Sequence, residues 1–350
     1  MIIATVIILA YTLLGGFKAV CWTDFFQGML MLAALMVVPI IASIILKTSG
    51  ALAPAAETEN YYNLLSDGSF NWKSIASILT GLGWGLGYFG MPHILVRFMA
   101  VKSEKEMKKS QILGSCWTAL ILLMATIVGL VGHEYLGGTL DKGTKNLVFV
   151  NTVRNIFGVG ALALIGGILI SAIVAASMST ADSQLLASSS AFASDFYKTT
   201  IKKDATDKQM LMVGRIAVAV ISVIALFIAL AVQTYDLGGI MELVSAAWSV
   251  FGAAFGPVII LALYWKRLNY KGACAGIITG FAVSVLWMVL FNLGYYGFSA
   301  VIADTGLYEI IPGFIIGMIV AVAVSLVTEK PSEEIEELFD SVKDFKESEN

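Results

Sequence analysis

An all-α, polytopic membrane protein is what the sequence predicts, on three observations. Hydrophobic residues make up 58% of the 350 and charged residues 13%, where a soluble domain carries roughly 25% charged residues. Apolar runs of about twenty residues, each long enough to cross a ~30 Å hydrocarbon core as a helix, recur along the chain. The ten-residue alternation that marks a membrane β-barrel is absent. Mean hydropathy is +0.84. The formal charge of −3 gives no reason to invoke nucleic acid. Cys21, Cys116 and Cys274 lie far apart with no CxxC and no His cluster, so they read as small apolar packing residues; no resident cofactor is expected.

Taken in order, the apolar runs define about nine spans, at 1–16, 25–46, 74–98, 111–134, 159–195, 209–233, 238–265, 273–293 and 310–328. The opening MIIATVIILAYTLLGG lacks the basic start and cleavage site of a signal peptide and reads as the inside of a membrane helix that begins abruptly. A short turn at Phe17–Asp24 separates the first two spans. Polar or basic loops follow at Lys47–Trp72, Val101–Ser110 and Lys198–Lys208, and Gly137–Gly158 carries an amphipathic piece of its own. In the tail, Ile335, Leu338, Phe339 and Val342 recur at helical spacing and predict a short amphipathic helix. Alternate loops collect 16 of the 22 Lys and Arg residues on one side. By the positive-inside rule that side is cytoplasmic, which places the C-terminus inside and runs the first span from outside to inside.

Two spans carry features that membrane anchorage alone does not require. The third, GLGWGLGYFGMPHILVRF, holds Gly81, Gly83, Gly85, Gly87 and Gly90 ahead of Pro92. Each mid-helix Gly costs ~1 kcal/mol and Pro ~3, so a continuous helix is disfavoured. A broken backbone survives in a membrane only where protein or a cavity satisfies it, and discontinuous helices build many transporter sites. Trp84 and Tyr88 stand at i and i+4 and share a face if the helix persists between them. They either wall a ligand compartment or belong to close packing and an interfacial belt.

The fifth span turns from apolar residues into a hydroxyl-rich helix, ISAIVAASMSTADSQLL. Ala176, Ser179 and Thr180 lie on one face, where a carbonyl and two hydroxyls of adjacent turns converge on a point suited to a small hard cation. The rival reading is that small hydroxylated residues simply allow helices to approach. His93 reads as a packing residue, Arg97 as a side chain that snorkels to the headgroups, and Asp182 as facing an inner vestibule or solvent. Glu242 and His133–Glu134 sit at span ends, where charge costs little. AAWSVFGAAFGP in the seventh span, with Trp248, Ser249, Phe251 and Pro257, suits either a gate helix or a kinked packing helix.

GGFKAVCWTDFFQGMLM, WGLGYFGMPHILVRFMA, ISAIVAASMSTADSQLL and FGAAFGPV together resemble the sodium:solute symporter family, and within it the members that carry proline with Na⁺. The likeness runs over essentially the whole chain up to the tail. WGLGYFGMPHILVRFMA is its most specific part, while the Ser-Thr pair is shared across the wider family. The resemblance implies a leucine-transporter-type inverted-repeat fold working by alternating access. It implies Ala176 (through its carbonyl), Ser179 and Thr180 as ligands of a coupling Na⁺, and Trp84, Tyr88 and Pro92 as lining the substrate site. It places Asp24 in a loop near the inner gate; Asp182, Trp248 and Ser249 complete a set of possible gating residues.

Family members have more spans than are counted here, so the fold is expected to be partial and the abrupt start to reflect an N-terminally truncated sequence. Residues 1–329 then form the transmembrane transporter domain. Within it, 1–46 is a remnant of the first repeat, 74–265 the second repeat and 273–329 two extra helices; 330–350 is a cytoplasmic tail. The expected function is Na⁺-coupled symport of L-proline into the cell across the plasma membrane. The bilayer, Na⁺ and proline are the partners, with no obligate protein partner evident. A Na⁺ symporter for another small solute is the alternative within this class, and a membrane sensor or scaffold the alternative outside it. The tail after Lys330 is too short for a signalling domain, and no HExxH, GxSxG or paired intramembrane carboxylates suggest an enzyme.

Overall fold

In the computed structural model, which describes residues 2–49, 69–137, 145–235, 240–294, 302 and 305–348, the first two apolar spans are not separated by a loop. Helix α1 (Ile2–Thr48) runs through both and kinks at Gly16, whose φ of 58° and ψ of −160° suit glycine and little else. The Phe17–Asp24 turn expected from sequence is therefore helical, because one glycine absorbs the whole change of direction. The third span is broken as expected: α2 (Trp72–Gly87) ends, Tyr88–Met91 is non-helical, and α3 (Pro92–Met99) resumes with proline at its first position. There follow α4 (Glu104–Tyr135), α5 (Val148–Phe157), α6 (Leu162–Ala191), α7 (Asp207–Tyr235), α8 (Ile240–Tyr264), α9 (Tyr270–Phe291), α10 (Ile310–Val327) and α11 (Glu333–Ser348). Beyond Ala191 the chain continues as a π-helix over Phe192–Ile201, so the start of the basic loop expected at Lys198 is still helical.

Among the described residues seven helices are long and apolar enough to cross a membrane, with Ile2–Leu13 a shorter apolar helix. The expected nine thus become seven full spans, one short helix and one broken segment. The chain is a multi-pass membrane protein.

The helices sort into two compact units, Met1–Tyr61 with Arg97–Ala229, and Tyr62–Val96 with Leu230–Asn350. In the first, α1 packs on α4, α5 and α6. Its core is Ala34 and Val38 of α1, Val153 and Phe157 of α5, and Leu169 and Ala172 of α6. Cys21 and Cys116 are exposed rather than packed.

In the second unit α8, α9 and α10 pack mutually, and α2 lies against α8 and α10. Two caps hold helix starts: Asn71 Oδ1 accepts from the Ser74 amide (3.0 Å) and Asn269 Oδ1 from the Gly272 amide (2.8 Å). Glycines bring α9 and α10 together, a packing device suited to lipid, where no hydrophobic force drives helices into contact. A Cβ on Gly317 would lie 3.1 Å from Gly280 Cα. One on Gly280 would collide with the Ala253 carbonyl of α8. Gly280→Val should therefore splay three helices and cost about 2 kcal/mol or more. The measurement is a lowered unfolding temperature in detergent.

The tail helix α11 is fastened at its acidic face. Lys266, in the α8–α9 turn, reaches Asp340 Oδ2 at 2.5 Å and Glu336 Oε2 at 3.3 Å. The bond to Asp340 and, to a lesser degree, the one to Glu336 raise the Lys266 pKa above its ordinary value. A raised lysine pKa means that the fastening is complete below the ordinary lysine range and lost as pH climbs through the raised value. A spin label at Ser341→Cys should accordingly gain mobility above about pH 10.5. Lys266→Ala should show that mobility already at neutral pH.

Candidate functional site

Within the first unit, α6 presents the three oxygens expected from sequence. Ser179 Oγ and Thr180 Oγ1 both donate to the Ala176 carbonyl, at 3.0 and 3.2 Å. Ser171, Ser177, Ser183 and Ser189 also bond back to carbonyls one turn earlier, as hydroxyls in membrane helices commonly do. What sets Ala176 apart is that two hydroxyls converge on one carbonyl. Each hydroxyl spends its proton on that bond and keeps lone pairs for a cation. Ser179 is half-buried and Thr180 exposed, so the face is open on one side.

One turn further along α6 lies a polar network that joins Asp24, Arg97 and Asp182, which the sequence offers only separately, to Tyr11 and Ser183. Asp182 is fully buried, and its Oδ2 accepts from the Tyr11 hydroxyl at 2.6 Å. Arg97 of α3 forms an ion pair with Asp24 of α1 and donates to Ser183 Oγ at 2.5 Å. Ser183 Oγ lies 2.8 Å from the Ser179 carbonyl, 3.2 Å from Asp182 Oδ1 and 3.4 Å from Asp24 Oδ2. Arg97 is thus bound to a carboxylate rather than simply snorkelling to headgroups, and Asp182 faces Tyr11 rather than solvent. Asp24 Oδ1 and the neighbouring Gln27 Oε1 are buried with no hydrogen-bond partner. Asp24, Arg97 and Asp182 are each visible as charges within or beside apolar spans, but their partners lie far off in sequence and no local pattern pairs them.

In the second unit the aromatic wall is assembled as the i, i+4 spacing predicts. Trp84, in the last turn of α2, and Tyr88, the residue that ends it, both bring their rings to Trp248 of α8. The centroid separations are 6.0 Å at 32° and 5.0 Å at 85°, respectively. Trp248 Nε1 donates to the Trp84 carbonyl at 2.9 Å, which secures the last helical turn of α2 before the break. Trp84 also stacks on Tyr308 at 5.6 Å. Tyr88 is 46% exposed and Pro92 is exposed at the start of α3. Pro92 is not in this ring cluster. Ser249 is fully buried and donates to Glu309 Oε1 at 3.0 Å. Glu309 is not among the residues expected from sequence, although a carboxylate directly ahead of the apolar run Ile310–Val327 is a visible signal.

The helices have the fold of a solved protein. The chain matches a solved Na⁺-coupled sialic acid symporter in a substrate-bound outward-open state with a TM-score of 0.69, over 94% of this chain and 66% of that one at 18% identity. The all-α, leucine-transporter-type class implied by the motifs therefore holds. The sodium:solute symporter family matches residues 1–280, and the chain belongs to that family. It is 40% identical over 96% of its length to an osmoregulated proline transporter of Bacillus subtilis. It is 40% identical over 98% to a high-affinity proline transporter of the same organism, and 40% over 96% to sodium/proline symporter 2 of Staphylococcus saprophyticus. The chain spans about two thirds of these relatives, at 65%, 68% and 64% of their lengths.

The polar network makes a test of its own. Arg97→Gln leaves the Asp24 charge without its guanidinium and should cost about 1–3 kcal/mol. Asp24→Asn should cost a comparable amount. The double variant should be less destabilised than the sum, since neither charge is then left behind. Unfolding midpoints of the four proteins give the coupling.

Proposed function

We propose that the protein couples Na⁺ entry to uptake of L-proline by alternating access. The observation that carries the reading is the Ala176–Ser179–Thr180 face, where two hydroxyls and a carbonyl of α6 meet. Na⁺ is a hard cation that requires several oxygen ligands, and this face supplies three. The 40% identity to proteins named as proline transporters favours proline over other small solutes. Trp84, Tyr88 and Pro92 are proposed to line the substrate site, at the break between α2 and α3. There, non-helical backbone is available to a small polar ligand.

Trp248, which touches both Trp84 and Tyr88, is assigned to gating, with Ser249 behind it. Asp24 and Asp182 are assigned to gating through their bonds to Arg97, Tyr11 and Ser183. Na⁺ binding would favour one of two conformations, and proline would bind that conformation more tightly. The loop charges support a cytoplasmic C-terminus, with α11 on the inner surface.

The test is uptake of labelled proline into proteoliposomes under an inward Na⁺ gradient, with unlabelled solutes as competitors. Thr180→Ala removes one ligand and should raise the half-saturating Na⁺ concentration about tenfold, equivalent to ~1.4 kcal/mol. Uptake whose Na⁺ dependence is unchanged by that substitution rules the face out. Stronger competition by another solute than by proline itself rules out proline.

A further inference from the structure

The α6 face does not account for the oxygen-lined cavity at the head of α10. This cavity, of about 130 Å³, lies entirely within the second unit. Glu309 enters it immediately before the first residue of α10 and is 1% exposed. Its carboxylate is held from two sides, by Ser249 Oγ on Oε1 (3.0 Å) and by Asn292 Nδ2 on Oε2 (2.7 Å). Asn292 Nδ2 also donates to the Leu307 carbonyl at 3.0 Å. With both amide protons directed at acceptors, the orientation of the amide is fixed. Its oxygen is left over: Asn292 is 6% exposed and Oδ1 is buried with no hydrogen-bond partner. A buried amide oxygen without a partner is unusual enough to require one.

The cavity wall supplies more oxygen. Thr80 Oγ1 donates to the Gly306 carbonyl at 3.0 Å and accepts from the Tyr308 amide at 3.1 Å. Ser245 and the Leu307 backbone complete that side. A water occupies roughly 30 Å³ of liquid volume, so the space accommodates a cation together with a few waters.

We propose that a monovalent inorganic cation binds in this cavity, ligated by the Glu309 carboxylate and Asn292 Oδ1. The charge argument selects the valence. One carboxylate at a helix N-terminus is partly offset by about half a positive charge from the helix dipole. Sites for divalent ions gather several carboxylates; here, among the described lining residues, the remaining oxygens are neutral. The purely structural alternative is that the Glu309 carboxylate only ties the head of α10 to α8 and the end of α9. That alternative leaves Asn292 Oδ1 unexplained. Trp84 belongs to the same cavity and stacks on Tyr308, so a bound cation would steady a residue of the aromatic wall.

This proposal does not depend on the α6 face, and the experiment separates the two. Purified protein carrying Ser179→Ala and Thr180→Ala is titrated with NaCl against choline chloride at constant ionic strength, with KCl as comparator, and its unfolding temperature is read. A saturable rise with Na⁺ or K⁺ is expected in this background. Adding Glu309→Gln, which keeps the hydrogen-bonding shape but removes the charge, should raise the half-saturating concentration at least tenfold. Absence of any cation response in the double-alanine background, or a response that Glu309→Gln does not alter, overturns the proposal. Should Glu309→Gln fail to fold, Asn292→Asp decides. A second carboxylate at the same ion should create stabilisation by CaCl₂ that the parent lacks, and its absence equally overturns the site.

Discussion

A polar group placed in hydrocarbon must find its partner inside the protein, because no water is at hand to supply one. The interrupted segment between α2 and α3 shows what this demands. The Gly90 amide turns back to the Gly87 carbonyl at 3.0 Å, and the Ile94 and Leu95 amides return to the Met91 carbonyl at 3.0 and 3.1 Å. The Trp84 carbonyl takes the Trp248 indole N–H instead. Gly87 and Gly90 leave room for α8 to come close enough to do this: a side chain on Gly87 would strike the Trp248 ring, and one on Gly90 the Phe251 carbonyl. The break, the glycines and the aromatic wall are therefore one construction.

The same demand organises the charged residues of the first unit. Asp24 and Asp182 are tolerable within spans because Arg97, Ser183 and Tyr11 are brought to them from α3, α6 and α1. Replacing water with fixed dipoles makes each bond count for more than it would at a surface. It also makes the network sensitive to movement of any one of its three helices.

How much of this could be read from the chain depended on range in sequence. The α2–α3 break was legible because Gly and Pro act locally, and the Trp84–Tyr88 face because i and i+4 follow from helix geometry. The Ala176–Ser179–Thr180 convergence was legible for the same reason. Tyr11 and Asp182 are 171 residues apart and Arg97 and Asp24 are 73 apart; no local pattern pairs them. Phe17–Asp24 looked like a loop because Lys18, Thr23 and Asp24 are polar. Yet Thr23 bonds to carbonyls of its own helix and Asp24 to Arg97, so the segment stays helical. Glu309 was passed over because its cavity partners come from α8 and the end of α9. For Glu309, Asn292 and Ser249, only the tertiary structure brings the polar groups together.

Trp84 and Trp248 also give the protein an optical signature of its own. Two indoles 6.0 Å apart and inclined at 32° are close enough for their excited states to mix. Such a pair gives far-ultraviolet circular dichroism with paired bands of opposite sign, drawn from the strong indole transition, whose strength falls steeply with separation. Because one ring is carried by α2 and the other by α8, that couplet reports how tightly the two helices are closed on each other, with no label attached.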